Sequence, residues 1–346
     1  MKIIVDGMGG DNAPLEIVKG AIMAAHELEQ LDPEITVGII GPQELMRNCL
    51  TECKWEGSNI EIIDATEVIT NDEAPAMAVR KKKDSTIVKA MNLLKTGEAD
   101  AFISAGSTGA LLAGGLVTLG RIKGIRRPAI AAWFPKMHKS GTTLLLDCGA
   151  NVEAKPEYIF QNGIMGAMYV AGVKDIENPE VRLLNIGAEE SKGDELHKEA
   201  FRLLAGSSIN FGGNIEGRDV ATTDCDVVIT DGFSGNIFLK GSEGVALAIM
   251  KQFKAKLQEG VLAKMGALLA YSKISELKEM FDYSDVGGAP ILGLKGAVLK
   301  IHGNSKAIEV YYAVMKAIPY VRKEVTRMIE EAVTQNAELF NTSEQE

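Results

Sequence analysis

The chain has 346 residues, 46% apolar and 24% charged, enough to bury a large core as one extended α/β domain of a soluble globular protein. Its 47 acidic and 37 basic residues leave a net charge of −10, which argues against nucleic acid and against general attraction to anionic membranes. Cysteines at 49, 53, 148 and 225 lack metal-ligand spacing, and Lys2 runs straight into an apolar strand rather than a secretory leader, so they read as reduced thiols of a cytosolic protein.

Apolar β-branched runs predict strands at IIVD, ITVGII, IEIID, AFIS, AIAAWF, TLLLD, RLLNI, DVVIT and AVLKI, in that order from Ile3 to Ile301. Between most of them, helical patterns cover 14–30, 75–96, 155–171, 194–204 and 305–318. Such alternation predicts an α/β fold, a three-layer α/β/α sandwich around a mostly parallel sheet. No repeat or linker divides residues 1–330, which are expected to form a single extended domain. Residues 101–120 carry no charge, yet Ser104, Ser107, Thr108 and several glycines break the run. A buried strand, a turn and a packed helix fit it better than a membrane span.

Residues 242–281 form a helical excursion without a convincing strand. Ile249, Phe253 and Leu257 recur every four residues, and in VLAKMGALLAY, residues 261–271, Leu262, Met265, Leu268 and Leu269 make an apolar surface. Two readings stay open for it: a helix pair buried in a dimer interface, or a protruding tip that contacts lipid. Residues 331–346 read as a polar C-terminal tail.

Six Gly-, Asn- and acid-rich strings lie where strands give way to helices: KIIVDGMGGDNAP, AFISAGSTGA, LLLDCGANVEAKPE, INFGGNIEGRD, VVITDGFSGN and VLKIHGNS. In a parallel sheet they converge on the edge where strands end, which is the expected active site. Glycine admits close backbone approach, and helix N-termini favour anions. Gly9, Gly10, Asp11 and Asn12 open the first helix, Asn12 being either its N-cap or a ligand contact. Ser104, Ser107, Thr108 and Gly109 form the best anion cradle, with helix capping as the plainer reading. Asp147, Asn151, Asn214, Glu216, Asp231 and Asn236 stand at or past strand ends, where each alone is more often a turn residue. Among the histidines, His26, His138 and His197 sit in unremarkable contexts, whereas His302 ends a strand before a Gly-Asn-Ser turn and is either catalytic or structural.

Taken together and in register from residue 1 to about 327, these strings resemble the bacterial phosphate acyltransferases of phospholipid synthesis. The departures are Gly7, where Ala is expected, and Asn162, where an apolar residue is expected. The resemblance implies an enzyme that moves a fatty acyl group from acyl carrier protein to inorganic phosphate by direct attack, without a covalent intermediate, metal or organic cofactor. It further implies an architecture like that of the isocitrate and isopropylmalate dehydrogenases, a homodimer, and a cytoplasmic protein in weak peripheral contact with the inner membrane face, where a membrane acyltransferase accepts the product. His302, Ser107 and Thr108 are then catalytic, and the other strand-end residues bind substrate. In AVRKKKDST, Arg80 and Lys83 would address phosphate or the pantetheine arm. Arg121, Arg126 and Arg127 would dock the acidic carrier.

From the residues alone, the strings establish only an anion-binding α/β protein. A short-chain phosphotransacylase using coenzyme A, a dehydrogenase of the isopropylmalate type and a non-catalytic carrier-binding scaffold remain as rivals. No G-x-G-x-x-G opens a strand-helix unit, which counts against the usual dinucleotide site.

Overall fold

The computed structural model describes residues 1–137, 141–274 and 287–341. Among these, the sheet has 11 strands. In chain order they are β1 (Lys2–Asp6), β2 (Thr36–Gly41), β3 (Ile60–Asp64), β4 (Ala101–Ser104), β5 (Ala129–Pro135), β6 (Thr142–Leu146), β7 (Val181–Asn185), β8 (Phe211–Glu216), β9 (Val227–Ile229), β10 (Ala289–Leu292) and β11 (Ala297–Lys300). Their spatial order is β3-β2-β1-β4-β11-β10-β5-β6-β9-β7-β8. All nine expected strands are present; β8 and β10 were not expected.

Alternate residues of each strand enter separate cores. Ile3 and Val5 of β1 and Ala101 and Ile103 of β4 face one side, while Ile4 and Phe102 face the other. The first core is covered by α1 (Leu15–Leu31), α2 (Gln43–Glu52), α6 (Pro156–Lys174) and α7 (Glu195–Ala205), with α10 (Ala307–Arg322) and α11 (Val325–Gln335). The second is covered by α3 (Pro75–Lys81), α4 (Thr86–Thr96) and α5 (Thr108–Gly114). Burial on both faces accounts for the near-continuous apolar runs. Residues 101–120 form β4, the turn, α5 and a π-helical turn, Gly115–Leu119, as expected.

The sheet is mostly parallel, but its polarity reverses in the middle. β10 pairs antiparallel with both β11 and β5, and β5 antiparallel with β6. Hence β1, β2, β3, β4, β11 and β5 point one way and β10, β6, β9, β7 and β8 the other. The expectation that six loops share one edge is thereby corrected. The loops after β1, β4 and β11 open on a first edge, and those after β6, β7, β8 and β9 on the opposite one.

The predicted 75–96 helix is two helices, broken where Lys82 and Asp84 turn the chain. Lys82 pairs with Glu73 at 2.7 Å and Asp84 with Lys89 at 2.8 Å. Gly7 suits its surroundings, because a Cβ there would lie 2.6 Å from the Met46 sulfur. Asn162 is buried, its amide 3.4 Å from the Thr230 carbonyl. The helical excursion starts earlier than expected, at α8 (Gly232–Leu257), and continues as α9 (Gly260–Leu269); 275–281 lie outside the described residues. None of α9 is buried, and Leu262, Leu268 and Leu269 are 84%, 77% and 87% exposed. No described helix is long and apolar enough to cross a membrane. Residues 332–336 are packed rather than a free tail: Ala332 and Val333 are buried in α11, and buried Asn336 bonds Ser208 before α12 (Ala337–Asn341).

Candidate active site

Three loops meet on the first edge and are tied together through their main chains. Asp11 N–H donates to the Gly303 carbonyl at 2.6 Å. The Asn12 amide donates to the carbonyls of Asn304 at 2.8 Å and Ser305 at 3.2 Å. Asn12 is therefore no N-cap, a position held by Pro14; it bridges the first and last of the six strings. Gly10 has φ +93°, and a Cβ there would lie 2.7 Å from both the Ala105 side chain and the Gly303 carbonyl. At Gly9, a Cβ would lie 2.8 Å from the Gly106 nitrogen. Both glycines thus serve the approach of loop to loop.

Beneath them lies Asp6, which the sequence reading passed over. It ends β1 with 2% exposure, and its carboxylate accepts from the Ser104 hydroxyl at 2.7 Å, from Met8 N–H at 3.2 Å and from Thr86. Burial pushes its pKa up, against the pull of these donors. Ser104 also accepts Gly106 N–H at 2.9 Å, so this hydroxyl is committed to the loop rather than to a ligand. The signal for Asp6 was a carboxylate closing an apolar strand before a glycine-rich turn. In AVRKKKDST it is Thr86 that reaches the cluster. Arg80 stays exposed on α3, and the ammonium of Lys83, in the turn past that helix, lies 3.5 Å from the Val79 carbonyl.

Above this frame stand Ser107, Thr108 and Lys300, all partly exposed, and exposed His302. Ser107 caps α5, accepting Ala110 N–H at 3.4 Å, which leaves its hydroxyl proton to donate. Thr108 and Gly109 follow at the helix start, Gly109 backed by Pro75 of α3. Exposed His302 accepts Asn304 N–H on Nδ1 at 3.3 Å, so in the neutral ring the proton sits on Nε2. Lys300, also passed over in the sequence, donates from Nζ to the carbonyls of Ala105, at 3.3 Å, and Ile301. Burial lowers its pKa to about 8, with Asp11 and Asp6 pulling the other way. The donors suit an anion: a hydroxyl, an imidazole N–H, an ammonium and the N-terminus of α5.

On the opposite edge the candidate polar groups are largely engaged with their own loops. Asp147 accepts from the N–H groups of Ile130, Gly149, Ala150 and Asn151 and from the Asn151 amide, at 2.9–3.1 Å. Asn151 also donates to the Pro128 carbonyl at 2.8 Å. Asn214 donates to the Glu189 carbonyl at 2.9 Å and accepts from Asn185 at 3.2 Å. Asp231 caps α8 through Phe233 and Ser234 N–H at 3.0 and 2.8 Å, Asn236 packs beside Gly149, and Glu216 pairs with Arg218 at 3.0 Å. Arg121, Arg126 and Arg127 are exposed before β5 on this same edge, Arg121 donating to the Arg126 carbonyl. Among the described residues no cluster of metal-ligating side chains occurs. His138 lies outside the described residues.

Comparison with known proteins gives this geometry a family. Residues 1–328 match the family model described as fatty acid synthesis protein. The phosphate acyltransferase of Thermoanaerobacter pseudethanolicus is 44% identical over 333 residues, covering 96% of this chain and 97% of its own. That of Clostridioides difficile is 43% identical over 346 residues, the whole of both chains. A phosphotransacetylase from Streptococcus pyogenes superimposes with a TM-score of 0.61 at 18% identity over 95% of this chain and 94% of that one. A branched-chain phosphotransacylase from Enterococcus faecalis gives 0.56 at 15% identity, over 93% and 99%. These two structures speak for the fold alone. On the full-length identity, the chain belongs to the phosphate acyltransferase family, enzymes of fatty acid and phospholipid synthesis.

Proposed function

We propose that the first edge transfers a fatty acyl group from acyl carrier protein to inorganic phosphate, giving acyl phosphate for phospholipid synthesis. A phosphate oxygen attacks the thioester carbon, the C–S bond breaks, and the electron pair leaves on sulfur as a thiolate that takes its proton from solvent, with His302 Nε2–H available as a hydrogen-bond donor to the reacting oxygens. A thiolate departs readily and phosphate is itself nucleophilic, so the protein's task is to position phosphate, stabilise the oxyanion and hold off water. What supports this reading is the placement of Ser107, His302 and Lys300 on loops of the same edge, over a frame tied by Asp6, Asn12 and Gly10. The absence of an acyl-enzyme is supported by the cysteines: Cys49 and Cys53 belong to α2 and its C-cap, Cys225 precedes β9, and Cys148 is buried on the opposite edge with its pKa pushed up. A protonated buried thiol is a poor nucleophile.

The carrier is acidic, and on a chain of net charge −10 it needs a local cationic surface, for which exposed Arg121, Arg126 and Arg127 are suited. They stand one strand's length, about 15–20 Å, from the first-edge loops. Leu262, Met265, Leu268 and Leu269 are exposed among the described residues, which supports an external contact, lipid or a second copy, consistent with delivery of the product to a membrane acyltransferase. Incubation with acyl carrier protein thioester and phosphate, read by product mass spectrometry, tests the function. Acyl phosphate from the carrier thioester and none from a short-chain coenzyme A thioester is expected. The reverse preference would make the protein a short-chain phosphotransacylase.

A further inference from the structure

Lys300 ends β11 where the three first-edge loops meet. Two of its three N–H groups go to the carbonyls of Ala105 and Ile301 on two of those loops. Asp6 of β1 and Asp11 of the third loop act on it electrostatically, yet among the described residues no carboxylate oxygen is in ion-pair contact with Nζ. Asp6 instead spends its oxygens on Ser104, Thr86 and Met8. A partly buried ammonium with two of its N–H groups on neutral carbonyls, and no carboxylate in direct contact, keeps a third donor for a ligand. A strut that merely tied β4 to β11 would not require a cation, whereas a bound anion would take the remaining N–H directly.

We propose that Lys300 is the cation that positions phosphate in this site, its third N–H and its charge directed at the attacking anion beside Ser107 and His302. The inference rests on the acyl-transfer reading above and adds the group that holds the nucleophile. Its alkaline limit follows from the position of the ammonium. Deprotonation, with a pKa lowered to about 8, removes the charge, so phosphate affinity falls as pH rises through that value. Asp6 and Asp11 are the charged groups that act on it, and both are retained when only Lys300 is changed.

The test compares the parent with Lys300→Met and Lys300→Arg, each checked for fold by circular dichroism. For Lys300→Met the phosphate KM should rise about tenfold to a hundredfold, the scale for losing a hydrogen bond to a charged group, with the carrier KM little changed. Lys300→Arg should recover part of this and lose the fall of kcat/KM for phosphate above about pH 8. The same alkaline fall in Lys300→Arg, or a carrier KM that rises with an unchanged phosphate KM, overturns the proposal. A second arm needs no turnover: inorganic phosphate alone should raise the melting temperature of the parent and not of Lys300→Met. Equal shifts in both, or none in the parent, also overturn it. Should the parent make no acyl phosphate, the acyl-transfer reading falls by itself and this phosphate-binding arm still decides the role of Lys300.

Discussion

Gly10→Ala tests whether the first-edge loops are held by close approach. At φ +93° an L-residue is strained by about 1–2 kcal/mol. The added methyl would sit 2.7 Å from the Ala105 side chain and the Gly303 carbonyl, so the loops must part, at about 1–3 kcal/mol for overpacking. The sum, about 2–5 kcal/mol, set against an unfolding entropy of about 0.7 kcal/mol/K for a chain of this length, lowers the melting temperature by about 3–7 °C. Gly97→Ala is the control. Gly97 has φ +75° at the end of α4 with nothing within 4 Å of a Cβ, so strain alone lowers its melting temperature by about 1–3 °C. Activity separates the two further, because a displacement of about 1 Å among positioned groups costs about a hundredfold in rate. Differential scanning fluorimetry and acyl phosphate formation, measured side by side, should show Gly10→Ala both destabilised and nearly inactive and Gly97→Ala only slightly destabilised. If Gly10→Ala melts with the control and turns over like the parent, the loops are not held by this contact.

Three further outcomes follow from named contacts. His302→Gln retains an acceptor for Asn304 N–H but displaces the Nε2–H donor; turnover should drop about a hundredfold, and turnover within about twofold of the parent would assign His302 to structure. Asp6 has its pKa raised by burial, so its contribution to stability is fully present below its unfolded value near 3.8 and is lost as pH rises through the folded one. The neutral Asp6→Asn should therefore gain melting temperature relative to the parent as pH rises from about 4 to about 7, and a difference that stays constant with pH would contradict this. Leu268→Glu with Leu269→Glu should release the protein from anionic vesicles in flotation while keeping activity in solution, since both side chains are exposed on α9; flotation equal to the parent would leave a second copy as the cover.

Strands and their burial were legible because apolar β-branched runs carry them, but β8 and β10 were not. FGGNIE and APIL contain the glycines, asparagine and proline that mark turns, and only pairing with neighbours makes them strands. The reversal of sheet polarity did have a sequence signal. Six residues, 136–141, separate β5 from β6 and four, 293–296, separate β10 from β11, too few for the crossover that parallel pairing requires. Within the site the loop strings stood out by composition, whereas the partnering of each polar group could not be read. Asp147 and Asn214 look like ligands in sequence and are engaged by their own loops. Asp6 and Lys300 look like ordinary strand ends, and their setting comes from loops that lie from about 95 to about 295 residues away.

Isotope exchange in the absence of phosphate tests the central claim most directly. With acyl carrier protein thioester and isotopically labelled free carrier, direct attack by phosphate predicts that no label enters the thioester pool until phosphate is added, whereupon acyl phosphate forms and no acylated protein is detected by intact mass. Label exchange without phosphate would reveal an acyl group parked on the enzyme and contradict the mechanism.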